Sequence, residues 1–155
     1  MYKTHTLRKG RFSEENRVYL VTVVTHNRQR HFMDWPGARP VIHALRAADV
    51  EAHTSTHAWV LMPHHLHWLF SLRHQSLGRV VGRMKSRSTV VFNKNTEGTG
   101  PLWQKGYHDR ALRIEDSVLQ TARYVVANPL RAGLVASLAQ YPLWDAHWVA
   151  APLSA

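Results

Sequence analysis

Two hydrophobic periods alternate along the chain, and the switches between them mark its elements. Residues 17–25 read as a strand, with Val18, Leu20, Val23 and Val24 as β-formers. Pro36, Gly37 and Pro40 punctuate the connection that follows. Val41, Leu45 and Ala48 recur at helical spacing and predict a helix over residues 41–51. Residues 54–62 and 65–72 predict two more strands, joined as a hairpin by a short turn at Pro63 and His64. Residues 76–94 predict a second helix, with Ser76 as N-cap and Leu77, Val80, Val81 and Met84 on its apolar face. Two glycines mark residues 95–101 as a loop, and residues 107–114 predict a fourth strand. A third helix is predicted over residues 115–127, stopped at Pro129 because the residue before a proline disfavours the α region. Gly133 follows in a turn. From Ser137 onward, Trp144, Trp148 and two prolines predict a packed but irregular extension.

The order is strand, helix, strand, strand, helix, strand, helix. Its first six elements match the split βαβ, ferredoxin-like arrangement, an α+β fold with an antiparallel sheet and both helices on one face. The other face is expected to be open, with the third helix added near it. No repeat, low-complexity block or linker interrupts the 155 residues. We read one domain, with a basic arm at residues 1–16 and a tail at 137–155.

Composition narrows the chemistry. At 45% apolar residues the chain has the means to build a core. It has no cysteine, which excludes disulfides and thiolate chemistry and leaves His, carboxylate or amide ligands for any metal. With no long apolar stretch and no signal pattern at Met1, a cytoplasmic protein without a membrane partner is expected. Twenty Lys and Arg face ten Asp and Glu, so the net charge is +10. Such an excess on one small domain points to a polyanion, because each neutralised phosphate releases counterions. A generic basic protein is the alternative.

Alternate residues of a strand share a face, so His65 and His67 project together while Leu66, Trp68 and Phe70 point to the core. Two imidazoles so placed can grip one metal ion. With 12 histidines in the chain, such a pair also arises by chance on a solvated face. His64 falls on the wrong face and reads as a turn residue. On the third helix, Val118, Leu119, Ala122, Val125 and Val126 form the core stripe. Ser117, Gln120, Thr121, Tyr124 and Asn128 share a more polar stripe, which presents Tyr124 away from the core. A lone helical tyrosine of this kind is usually a half-buried ring with a wet hydroxyl. Together the two features gain meaning. A phenol with a pKa of about 10 is a poor nucleophile at neutral pH. A metal that binds a non-bridging phosphate oxygen polarises the phosphorus and fixes an in-line approach. Asn128 offers a third, oxygen ligand from the same helix.

The segment Met62-Pro63-His64-His65-Leu66-His67 resembles the His-hydrophobic-His motif of tyrosine transposases. The run from Tyr124 through Asn128, Pro129, Arg131 and Gly133 to Val135 resembles the signature of the subgroup associated with repetitive extragenic palindromes, the RAYT proteins. The stretch from Leu102 to Asp109 is similar to that subgroup too, and the resemblance spans roughly residues 17 to 136. Relaxases of the superfamily place their tyrosine before the histidines, the reverse of the order here. The resemblance implies cleavage of single-stranded DNA beside an imperfect hairpin. The tyrosine attacks the scissile phosphate, leaving a 5′-phosphotyrosine and a free 3′-hydroxyl, and the reverse reaction rejoins strands without ATP. It makes Tyr124 the nucleophile and His65 and His67 metal ligands, with Asn128 where insertion-sequence relatives carry Gln. Magnesium or manganese is the expected ion, and two imidazoles suit manganese better. It further implies a bacterial, nucleoid-associated protein acting as a monomer more than as a dimer.

Several basic groups are candidates for holding DNA. Arg79, Arg83, Lys85 and Arg87 lie on the second helix, in a span with no acid between Arg73 and Asn95. Lys3, Arg8, Lys9 and Arg11 form a second group, and Arg28 and Arg30 a third. Trp103 and Tyr107 are candidates for stacking on unpaired bases, whereas Trp68 reads as core. Arg131 reads equally as a phosphate contact or a helix cap. Asp116 is expected to serve the third helix through its dipole. Two alternatives remain: a non-catalytic ferredoxin-like module that binds structured RNA or single-stranded DNA, and a metal-dependent hydrolase that needs the histidines but not Tyr124.

Overall fold

The computed structural model describes Glu14 and residues 16–147. Five strands, β1 (Val18–Val24), β2 (Thr54–Met62), β3 (His65–Leu72), β4 (His108–Ala111) and β5 (Trp144–Ala146), form one sheet in the order β4-β1-β3-β2-β5. Every neighbouring pair is antiparallel. Helix α1 (Trp35–Val50) links β1 to β2, and α2 (Leu77–Thr96) links β3 to β4. The first four strands and these two helices are the split βαβ arrangement that the sequence predicts. Helix α3 (Val118–Val126) and the one-turn α4 (Asn128–Arg131) follow.

Alternation along the strands divides the interior in two. Tyr19, Val21, Val23, Leu66, Trp68 and Phe70 face α1 and α2, and pack with Val41, Leu45, Val80, Val81 and Met84. On the other face Ala58, Val60, Met62 and Leu69 receive Ala122, Val125 and Val126 of α3. Burying side chains such as Val125 contributes about 1.5–3 kcal/mol each, enough to seat a nine-residue helix that would not persist alone. The second face is therefore partly roofed by α3, the helix that the sequence reading adds near it. A register shift between Thr56 and Ala58 turns β2 so that Ala58, Val60 and Met62 meet α3.

Four boundaries differ from the sequence reading. Helix α1 begins at Trp35, not Val41, because the Asp34 side chain accepts from the Gly37 amide at 3.3 Å. Pro36 falls in the first turn, where its missing N–H has no helical partner to lose, and Pro40 is carried inside the helix as a buried residue. Strand β4 stops at Ala111. Asp116 then closes a turn by accepting from the Arg113 amide at 2.9 Å, one residue ahead of Ser117, which caps α3 by accepting from Gln120 at 3.1 Å. Helix α3 ends at Val126, within one residue of the predicted stop before Pro129, but the chain then turns at Ala127 into α4, which was not predicted, with Pro129 in its first turn. Finally, the described part of the tail is not wholly irregular: Trp144 pairs with Val60 and Ala146 with Ala58, adding β5 to the sheet edge. The hydroxyl of Tyr141 donates to the Leu61 carbonyl at 2.6 Å and straps the approach to that strand.

Candidate active site

Strand β3 is central, and its outward positions place His65 and His67 side by side on the α3 face, with ring centroids 4.8 Å apart. Register aligns His67 with Thr22 on β1 and Val60 on β2. The Oγ1 of Thr22 lies 2.9 Å from Nδ1 of His67, which leaves Nε2 as the nitrogen for a ligand. Thr22 also pairs with His108 of β4, so His108, Thr22 and His67 share one row across three strands. The hairpin turn brings a third imidazole close. The His64 ring is 4.6 Å from that of His65, while its carbonyl accepts from the backbone and hydroxyl of Thr25. His64 thus keeps its turn role but borders the pair, which face alternation alone did not indicate.

Burial pushes the His65 imidazole down to about 3, helped by the charges of His67, His64 and Arg28. Burial, then the Arg131 charge, lowers His67 to about 4. Both rings are therefore neutral at ordinary pH, the form that offers a lone pair to a metal. Among the described residues no cluster of three His, Asp or Glu side chains accompanies them. Asn128 donates its amide N–H to the Val125 carbonyl at 2.8 Å, so its Oδ1 is the atom left to accept. Two neutral nitrogens with an amide oxygen from the neighbouring helix fit a divalent ion that completes its shell with water and phosphate oxygens.

Tyr124 stands on the polar stripe of α3 and is 61% exposed. It lines an open groove with Leu20, Arg110, Gln120 and Thr121. The guanidinium carbon of Arg131 sits 3.7 Å from the centre of its ring. Arg131 therefore meets the tyrosine, and its charge also reaches His67. Arg28 and Arg30 are exposed, and after burial their charges are what lower His64, so both border the imidazole cluster.

Other candidates fall elsewhere. Helix α2 packs on the face opposite the histidine pair, so Arg79, Arg83, Lys85 and Arg87 do not join the site. Arg79 and Arg83 are exposed there, but Arg83 and Arg87 lie 3.5 and 2.6 Å from Glu51. Lys85 donates to the carbonyls of Gln104 and Gly106, at 2.8 and 3.0 Å, holding the loop before β4 instead of reaching outward. Trp103 is 4% exposed, bonds Ser88 at 2.9 Å and packs on Phe32, so it is a core residue and not a stacking platform. Tyr107 is buried too, and Trp68 is core as expected. Lys3, Arg8, Lys9, Arg11 and Trp148 lie outside the described residues. Thr22 and Arg110 were missed, and His108, at the start of the fourth strand, could not be placed against the histidine pair from sequence. Their spacing carries no signal, because only strand register brings them to the site.

A family model described as IS200-like transposase matches residues 14–128. A Haemophilus influenzae protein of uncharacterised function is 27% identical over 95 residues, which is 46% of this chain and 52% of the relative. The chain thus spans about half the length of that relative. Among solved structures, a REP-associated tyrosine transposase bound to a REP hairpin superposes with a TM-score of 0.76 at 20% identity, covering 100% of this chain and 88% of that one. A transposase-like protein of Deinococcus radiodurans R1 superposes with a TM-score of 0.54 at 20% identity, covering 76% of this chain and 94% of that one. At such identity these likenesses concern the fold.

Proposed function

The chain belongs to the IS200-like transposase family, and on that premise we propose that it is a metal-dependent transesterase that cleaves and rejoins single-stranded DNA beside hairpins. Tyr124 is the nucleophile. Its Oη forms a bond to the scissile phosphorus while the bond from phosphorus to the 3′-oxygen breaks. The phenolic proton leaves to solvent, the 3′-oxygen gains a proton, and the 5′ end stays on the enzyme as a phosphotyrosine. A second 3′-hydroxyl reverses the step, so no ATP is required. His65 and His67 hold the ion, Mn²⁺ or Mg²⁺, with Asn128 as third ligand. When bound, the ion supplies Lewis-acid polarisation of the phosphate.

One observation carries this reading. Arg131 lies over the ring of Tyr124, and the tyrosine helix packs on Val60, the β2 register partner of His67, so the tyrosine helix and the imidazole pair share one face of the sheet. They do so within a single chain, because α3 seats Ala122, Val125 and Val126 on its own sheet, and a monomer is the functional unit we favour. The hairpin substrate is adopted from the structural neighbour, whose complex holds a REP hairpin. Among the described residues no helix is long and apolar enough to cross a membrane.

The test is a denaturing gel of hairpin DNA with single-stranded flanks, incubated with the protein and Mn²⁺ or Mg²⁺. A protein–DNA adduct that survives denaturation and is absent for Tyr124→Phe supports the reading. Metal-dependent cleavage without an adduct, unchanged in Tyr124→Phe, indicates a hydrolase. Tight binding without cleavage across a hairpin library indicates a binding module.

A further inference from the structure

Tyr124 and Arg131 would stand about 10 Å apart along the axis of one continuous helix. The chain instead breaks at Ala127, and α4 folds Arg131 back over the tyrosine ring. The corner is firmly built. Asn128 donates its side-chain amide to Val125, the amides of Leu130 and Arg131 both reach the Ala127 carbonyl at 3.0 Å, and Pro129 is buried beneath the turn. Gly133, at φ 74°, ends it, and the Leu134 amide closes onto Pro129 at 2.9 Å. The placement of Arg131 is thus a property of the backbone.

The contact itself is a poor stability device. Both partners are exposed, and a surface cation–π pair contributes only about 0.5–1 kcal/mol. Arg131 makes no hydrogen bond to a described side chain. A guanidinium carbon at 3.7 Å from the ring centre brings the five N–H donors of Arg131 against the Tyr124 side chain. A phosphate under attack by the Tyr124 Oη must lie beside that same side chain, and a planar fork of donors matches its non-bridging oxygens.

The geometry points to Arg131 as a phosphate clamp and ring holder: its face fixes the Tyr124 ring, and its N–H edge takes a non-bridging oxygen of the scissile phosphate. This rests on the reading of Tyr124 as nucleophile. As the bond from Oη to phosphorus forms and the bond to the 3′-oxygen breaks, charge on the non-bridging oxygens is met by a cation already in place. Nothing has to move when the phosphate arrives, so the ring and the phosphate share one reference point.

The experiment compares single-turnover adduct formation and hairpin affinity for the wild type, Arg131→Lys and Arg131→Ala. Removing a preorganised donor of this kind slows adduct formation by about 100-fold or more in Arg131→Ala, while hairpin Kd moves by less than about threefold. Arg131→Lys keeps the charge without the planar fork and recovers only part of the rate. A neutral methylphosphonate at the mapped scissile position removes the charge that Arg131 meets, so on that DNA the gap between wild type and Arg131→Ala closes to within about threefold. Equal rates on ordinary DNA overturn the proposal. So does a loss that persists undiminished on the methylphosphonate, which marks a merely structural residue. If the wild type forms no adduct, the nucleophile reading fails and this one with it. An adduct lost in Tyr124→Phe but untouched by Arg131→Ala sinks the role of Arg131 alone.

Discussion

The hydroxyl of Thr22 and the Nδ1 of His67 lie 2.9 Å apart, joined across the β1–β3 ladder. The bond fixes the ring's rotation and leaves Nε2 toward the α3 face. Loss of such an outer partner typically lowers metal affinity by about 10- to 100-fold. Thr22→Val is therefore expected to weaken Mn²⁺ binding by that amount, measured by calorimetry, and Thr22→Ser to preserve it. Equal affinity in both variants would mean that the ring orients itself without this bond.

Acid should unfold the protein earlier than its few carboxylates would require. Folding lowers His65 to about 3 and His67 to about 4, and it lowers His57 and His31 as well, mainly by burial. The unfolded chain takes up these protons first, near pH 6.5. Stability is thus full above about pH 6.5 and falls as the pH drops toward 4, by at most about 1.4 kcal/mol per pH unit for each of His65 and His67 and by less for the more exposed His57 and His31. Urea titrations at several pH values check the slope, and His67→Gln should flatten it.

Helix α3 is held by few side chains, so its seat should be sensitive. Val125→Ala removes buried carbons from the α3 interface and is expected to destabilise by about 2 kcal/mol. Hydrogen exchange should show α3 opening ahead of β1 and β3. Uniform exchange across all elements would contradict a separately seated helix.

The strap at Tyr141 makes its own prediction. Burial pushes its phenol up to about 12, and the hydroxyl donates to Leu61 at 2.6 Å. The folded state holds this proton more tightly than the unfolded chain, so its contribution is complete below about pH 10 and is lost as pH rises through about 12. Tyr141→Phe should lower stability at neutral pH by about 1–2 kcal/mol, read by urea unfolding.

Salt dependence separates the basic groups. Each phosphate contact to single-stranded DNA contributes about 0.7 to the slope of log K against log salt. Arg28→Ala with Arg30→Ala should reduce that slope by about 1.4, because both border the imidazole cluster. Arg79→Ala with Arg83→Ala, on the opposite face, should leave it unchanged for a minimal hairpin. The reverse result would move the DNA path to α2.

Much of this was legible in sequence because it depends on local periodicity. Period-two alternation assigned Leu66, Trp68 and Phe70 to the core and His65 and His67 to the other face, and helical spacing presented Tyr124. The order of elements was enough to specify the split βαβ core. Strand β5 was not legible, since three residues carry no period and pair only because β2 leaves its edge free. The start of α1 was hidden by prolines that a first turn tolerates.

The sequence by itself determined which residue types face which way within each element, because a side chain's direction follows from its own backbone. Tertiary structure decided which of them meet. Register alone joins Thr22 to His67, the bend at Ala127 alone turns Arg131 onto Tyr124, and packing alone takes Trp103 and Lys85 from the surface. These are contacts between elements, set by how separate segments dock, and no spacing along one segment encodes them.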